Sequence, residues 1–216
     1  MYAATSDPYC YKGTAVLRNR ARLRDQAALD LFEHESVLQR ADEPYPAGPL
    51  GVAHYKALHH HLFQDVYRWA GRFRTVRIAR GGSAFCYPEN IGREMRRLFD
   101  GLQGGAGLID LSPTEFSRQA AHFLAELNAI HPFREGNGRT QLAYLGLLAD
   151  EARQTLAFDR LQPQAIMQAM IASFWRKRTA VGESYPLTAS ALALRASIVR
   201  RPSLPATPST GSRPRA

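Results

Sequence analysis

Ten residues, His131-Pro132-Phe133-Arg134-Glu135-Gly136-Asn137-Gly138-Arg139-Thr140, place a base, a carboxylate, a glycine-flanked turn and an arginine in one short run. His131, with an ordinary pKa of ~6.5, is the one residue in the run able to take a hydroxyl proton near neutrality and later release it. Glu135 is a hard oxygen donor suited to Mg2+, an ion that takes one or two protein carboxylates and shares its other positions between water and substrate phosphates. Gly136 and Gly138 allow a turn whose consecutive N–H groups point at an anion. A helix opening there adds its unpaired N-terminal donors and the positive end of its dipole. Asn137 and Arg139 can donate to non-bridging phosphate oxygens, and Arg139 stays charged at any working pH. Phe133 does no chemistry; as a large apolar side chain two residues after the histidine, it anchors the loop in the core and so fixes where the imidazole points.

This run resembles the signature of the Fic domain family, His-x-Phe-x-[Asp/Glu]-Gly-Asn-Gly-Arg-x-x-Arg, without a gap from His131 through Arg139. The resemblance continues outside the loop. Tyr11-Lys12-Gly13-Thr14-Ala15-Val16-Leu17-Arg18-Asn19-Arg20 is similar to the stretch that leads into the first helix of single-domain Fic toxins. His61-Leu62-Phe63-Gln64-Asp65-Val66-Tyr67-Arg68-Trp69-Ala70-Gly71, followed by Arg74-Thr75-Val76, resembles the family's approach to its flap hairpin. Gly182-Glu183-Ser184-Tyr185-Pro186-Leu187 is similar to its C-terminal Gly-Asp-Tyr-x-Pro-Leu stretch. The expected organisation is an N-terminal arm over 1–10, a Fic domain over 11–194 and a tail over 195–216. The resemblance implies transfer of AMP from ATP, with Mg2+, to a Ser, Thr or Tyr hydroxyl of a target protein. His131 is then the base, Glu135 the metal ligand, and Gly136, Asn137, Gly138 and Arg139 the phosphate site.

One position departs from the pattern. The family's second arginine, which in Fic enzymes holds the terminal phosphate of ATP, falls at position 142, and this chain has Leu142. A charge-assisted hydrogen bond contributes about 1.5–3 kcal/mol, so its loss predicts a roughly ten- to hundredfold defect in whichever state it serves. Arg153 is no substitute, lying about 16 Å further along a continuous helix. Leu142 also completes an i, i+3, i+6 apolar stripe with Leu145 and Leu148, which suits a core position. Alternatives therefore stay open: another nucleotide or phosphate donor, or a silent nucleotide- or protein-binding module.

A net charge of +9 raises a further alternative, a basic helical nucleic-acid-binding protein, but charge is weak evidence and nucleic acid is not the expected partner. Five arginines lie beyond Glu183, and the stretch from Arg200 is rich in Pro, Ser, Thr and Arg, a composition that predicts a disordered tail. At 216 residues and 45% hydrophobic content the chain can build one core. No apolar run is long enough to cross a bilayer and no signal-peptide plan is present, so the expected location is cytoplasmic, with delivery to a host cell as an option. Cys10 and Cys86 have no metal-type spacing and read as reduced thiols. His59-His60-His61 cannot converge on one ion, because consecutive helical residues point about 100° apart; at most one looks inward.

The elements needed to position the loop are mostly α-helical. Helical spacing runs from Val16 to about Arg40, from Val52 to Trp69, and from Pro88 through Leu102. Ser112-Pro113-Thr114-Glu115 is a capping box with proline at the first helical position, opening a helix that runs to the motif. A fifth helix begins around Gly138 and a sixth follows Pro163. The fold class is therefore all-α with a short β-hairpin flap: Thr75-Val76-Arg77-Ile78 alternates like a strand, and Gly81-Gly82 supplies a turn. The resemblance implies that this flap docks the target segment beside the histidine, as an exposed strand edge can through main-chain pairing. Fic enzymes are often held by a helix carrying [Ser/Thr]-x-x-x-Glu-[Gly/Asn]. Thr179 to Glu183 fits only its first part, so a separate small antitoxin-like inhibitor is the remaining expectation.

Overall fold

Five helices dominate the structure, a computed structural model that describes residues 7–80, 83–156 and 198–200: α1 Gln26–Ala41, α2 Val52–Phe63, α3 Pro88–Asp100, α4 Pro113–Ile130 and α5 Asn137–Glu151. The mainly helical class read from the sequence is what the chain adopts. Helix α4 starts as its sequence dictates. The Ser112 hydroxyl accepts the Glu115 N–H at 3.3 Å, and the Glu115 carboxylate accepts the Ser112 N–H at 3.0 Å, satisfying two donors that a helix start would otherwise leave orphaned. From there Phe116, Leu124 and Leu127 face the core, and α5 turns back along α4 while α2 packs against α5. The motif loop is the short connection between α4 and α5.

The first helix begins later than periodicity suggests. Asp25 caps it, its carboxylate accepting the Ala28 N–H at 2.9 Å, and the chain from Val16 to Arg24 is not helical. Asn19 is the physical reason: its amide donates to the carbonyls of Leu17 and Leu23 and its oxygen accepts the Leu23 N–H, organising a turn that outcompetes helix. Arg22 then takes a left-handed φ of 61°. Upstream, Cys10 and Leu17 form an antiparallel bridge, with Tyr11 N–H donating to Val16 and Arg18 N–H to Tyr9.

The hairpin exists but its strands are displaced from the expected position. β1 is Ala79–Arg80 and β2 is Ser83–Ala84, antiparallel with Ala79 opposite Ala84. Thr75 to Arg77 form no strand, because the Val76 carbonyl accepts from the Arg74 guanidinium at 2.6 Å and the Thr75 N–H donates to the Tyr9 hydroxyl. Ile78 extends the hairpin only by accepting the Phe85 N–H. Gly81 and Gly82 lie outside the described residues, as do the expected sixth helix and Gly182 to Leu187. A second antiparallel pair joins β3, Gln154–Leu156, to β4, Ile198–Arg200. These last three residues fall in the stretch expected to be a disordered tail; their β-branched Ile198-Val199 pair suits a strand instead. Both cysteines are free thiols.

Candidate active site

His131 terminates α4 in a left-handed conformation, φ 49°, which swings the chain out of the helix and into the loop. A buried arginine holds that turn. Arg74, 2% exposed, donates to the carbonyls of His131 at 2.8 Å, Ile130 at 3.2 Å, Val76 at 2.6 Å and Cys86 at 2.6 Å. One guanidinium thus ties the helix end to the base of the flap. The His131 ring lies under Phe85, with centroids 4.0 Å apart and planes 21° from parallel, and donates to the Asn128 main-chain carbonyl. Burial, then the nearby Arg74 charge, lowers its pKa to about 3. The ring is therefore neutral near pH 7 and its second nitrogen is a lone-pair acceptor.

Phe133 is fully buried, as expected of an anchor, stacked on His59 at 3.7 Å and on Tyr55 at 5.5 Å. His59 is the one inward-facing member of its histidine triplet. Its Nδ1 accepts the Gly71 N–H, so Nε2 carries the proton and donates to the Glu135 carbonyl at 3.0 Å. Here too burial lowers the pKa to about 3.

The two buried neutral imidazoles have a consequence for stability. In the unfolded chain both titrate near ~6.5, so below that pH the unfolded state takes up protons the folded state refuses. The stability they permit is complete above about pH 6.5 and falls as pH drops toward their folded values. By about pH 5 the loss reaches up to ~4 kcal/mol for the pair, a fall in Tm of about 10 °C. A thermal melt that does not shift between about pH 7.5 and 5 contradicts this account.

Within the loop, the Asn137 side chain is engaged by the loop's own backbone. Its Oδ1 accepts the Phe133 N–H at 3.0 Å and its Nδ2 donates to the Phe133 carbonyl at 2.9 Å, closing the loop on itself. The Gly136 N–H is also taken, by the Glu135 carboxylate at 2.9 Å. What remains open is the start of α5: the main-chain N–H groups of Asn137, Gly138 and Arg139 reach no acceptor among the described residues. These are donors at a helix N-terminus, a geometry suited to an anion.

Gly136 has φ 81°, and a Cβ there would sit 2.4 Å from the Phe63 ring. Gly136→Ala combines left-handed strain of about 1–2 kcal/mol with a clash against a buried aromatic. It is expected to destabilise the fold by about 3 kcal/mol or more and to abolish activity. A melt within about 1 °C of wild type contradicts this.

Glu135 is partly exposed, and burial is the main cause holding its carboxyl above the ordinary glutamate value. Its Oε2 has no partner among the described residues, which fits a ligand contributing one carboxylate to Mg2+. No group of three or more metal-type side chains occurs among the described residues. Arg139 stands over the Phe63 ring at 4.8 Å, with Nη2 3.7 Å from Glu135 Oε1. That same nitrogen pairs with Glu33 of α1. Arg134 points away, forming a buried ion pair with Asp7 at 2.6 Å. Leu142 packs half-buried against the core, while Leu145 and Leu148 are fully buried.

Of the expected docking residues, Thr75, Val76 and Ile78 each have a main-chain group already engaged. Arg77 is exposed, lying over Tyr87 and pairing with Glu89. Sequence reasoning missed Arg74, His59 and Glu33 as parts of the site. For His59 a signal existed, a histidine on the apolar face that Leu58 and Leu62 define.

The sequence profile of the Fic/DOC family matches residues 49–149. Probable protein adenylyltransferase y4lH of Sinorhizobium fredii is 52% identical over 174 residues, 80% of this chain and 91% of that protein. The chain belongs to the Fic/DOC family. Another Fic relative, Probable protein adenylyltransferase Fic of Escherichia coli K12, is 34% identical over 76% of this chain and 82% of its own length. The Fic fold is shared with the BepC protein of Bartonella tribocorum, a VirB-translocated effector solved with bound AMPPNP. It matches with a TM-score of 0.76 at 24% identity over 90% of this chain and 97% of that one.

Proposed function

We propose that this Fic domain transfers AMP from ATP to a Ser, Thr or Tyr hydroxyl of a target protein. The observation that carries the reading is the junction of α4 and α5, which sets a neutral imidazole at one end of a short loop and three open N–H donors at the other. The triphosphate lies along those donors and the Arg139 guanidinium. The target hydroxyl gives its proton to His131 as its oxygen attacks the α-phosphorus. The bond to the β-phosphate oxygen breaks and pyrophosphate leaves. Glu135 would hold Mg2+, which when bound would neutralise charge on the phosphates. Catalysis of this type is positioning plus electrostatics, which is why the loop is held by Arg74, His59 and Asn137.

The hairpin from Ile78 to Phe85 adjoins His131 through Phe85, which supports target docking there, by Arg77 and the β1 edge more than by Thr75, Val76 or Ile78. The glycines of its turn, Gly81 and Gly82, belong to the same proposal. A small inhibitor protein and delivery to a host cell, the latter after the translocated effector BepC, are further parts of it. No helix of the described residues is long and apolar enough to cross a membrane.

Incubation with Mg2+ and ATP labelled separately at the α and γ positions, in whole lysate, tests the reaction. Label from α alone on protein supports AMP transfer. Label from γ alone, or none in either, overturns it. Leu142 favours one refinement, since an apolar residue stands where the family grips the far phosphate. Leu142→Arg is expected to raise α-label transfer by roughly ten- to hundredfold, and unchanged or lower transfer contradicts that explanation.

A further inference from the structure

We infer that Glu33 is a positioning residue for the nucleotide site: from α1 it holds Arg139 off Glu135, so that both can serve the substrate. The inference rests on the adenylyl-transfer reading. Glu33 is 9% exposed, and both of its oxygens are engaged, one by Arg139 Nη2 and the other by the Tyr67 hydroxyl. Tyr67 is itself immobilised, 2% exposed and stacked on Trp69 with centroids 4.4 Å apart. The chain of contacts Trp69–Tyr67–Glu33–Arg139 thus ends at a guanidinium pressed on the Phe63 face.

Two carboxylates compete for one nitrogen. Glu135, in the loop four residues before Arg139, lies 3.7 Å from Nη2, within ion-pair distance. Glu33 is the nearer partner and wins that nitrogen. Two consequences follow from this arrangement. Glu135 keeps an oxygen available to a metal, and Arg139 keeps its Nε and Nη1 donors, which have no partner among the described residues, for phosphate. Without Glu33 the Arg139 side chain collapses onto Glu135, and the site loses a phosphate donor and a metal ligand together.

The test is a double-mutant cycle on the full chain, reading the Kd for ATP with Mg2+ by calorimetry and the KM and kcat of AMP transfer. Glu33→Ala is expected to weaken ATP binding about tenfold, with the loss in KM more than in kcat, and to add nothing in an Arg139→Ala background. Glu33→Gln, which keeps an acceptor oxygen, and Tyr67→Phe, which frees the carboxylate, are expected to show the same effect at smaller size. They carry the test if Glu33→Ala does not melt cooperatively. Equal losses in both backgrounds overturn the inference, as does tighter ATP binding by Glu33→Ala, which would make the carboxylate a competitor of phosphate. Wild-type protein that binds no ATP removes the adenylyl-transfer reading itself. Wild-type protein that binds ATP, with Arg139→Ala impaired and Glu33→Ala unimpaired, removes this inference alone.

Discussion

Replacing His131 by alanine is expected to reduce AMP transfer by about 10²–10⁴-fold while ATP affinity stays within about threefold of wild type. The reason is a division of labour visible in the loop. The donors proposed for phosphate belong to the start of α5, whereas His131 belongs to the end of α4 and makes its own hydrogen bond to Asn128. Removing the ring deletes the proton acceptor and leaves the cradle intact. Its environment also fixes the direction of the pH response: burial and Arg74 hold the pKa near about 3, so the base form is already present throughout the neutral range. Above about pH 5, transfer by free enzyme should therefore show no acid limb from this group, where an unperturbed histidine would give one near ~6.5. Measured incorporation of α-label, alongside calorimetric ATP binding, checks both statements. Equal losses in transfer and in binding would mean that His131 supports the nucleotide and not the hydroxyl.

Arg74→Met carries the largest expected cost to the fold. The methionine fills similar volume but leaves the carbonyls of Ile130, His131, Val76 and Cys86 without their donor. Each buried carbonyl left unpaired costs about 1–3 kcal/mol, partly offset because a buried cation no longer has to be desolvated. A net loss of about 3–5 kcal/mol, or roughly 10 °C or more in Tm, is the expected result of a thermal melt. Arg74→Lys should recover little, because three donors on one nitrogen cannot span four carbonyls spread over a planar fork. Activity should fall even at temperatures where Arg74→Lys is folded, since the His131 carbonyl and the flap base are no longer tied together. A lysine variant with full activity and stability would show that charge alone suffices at this position.

What the sequence disclosed and what it concealed divide along a physical line. The loop from His131 to Arg139, the Ser112 capping box and the proline start of α3 are local signals, in which residues a few positions apart satisfy one another. The partners that turn the loop into a site are distant: Arg74 meets His131 across 57 residues, His59 meets Glu135 across 76, and Glu33 meets Arg139 across 106. Periodicity indicates that such residues face inward but not whom they meet. Arg74 was hidden further by its setting, since the Thr75-Val76-Arg77-Ile78 stretch after it alternates like a strand, and the buried guanidinium on Val76 and the Tyr9 hydroxyl on Thr75 explain why these two do not pair as one. The first helix was overextended for a similar reason. Asn19, neutral on helical spacing, closes a turn with Leu17 and Leu23 that delays the helix until Asp25.

A structure of the protein with Mg2+ and a non-hydrolysable ATP analogue decides whether the start of α5 receives the triphosphate. Phosphates are expected against the main-chain N–H groups of Asn137, Gly138 and Arg139, with the Arg139 guanidinium on the same oxygens and the α-phosphorus on the His131 side. Phosphates bound elsewhere, with those three donors unpaired and His131 still stacked beneath Phe85, would contradict the adenylyl-transfer reading.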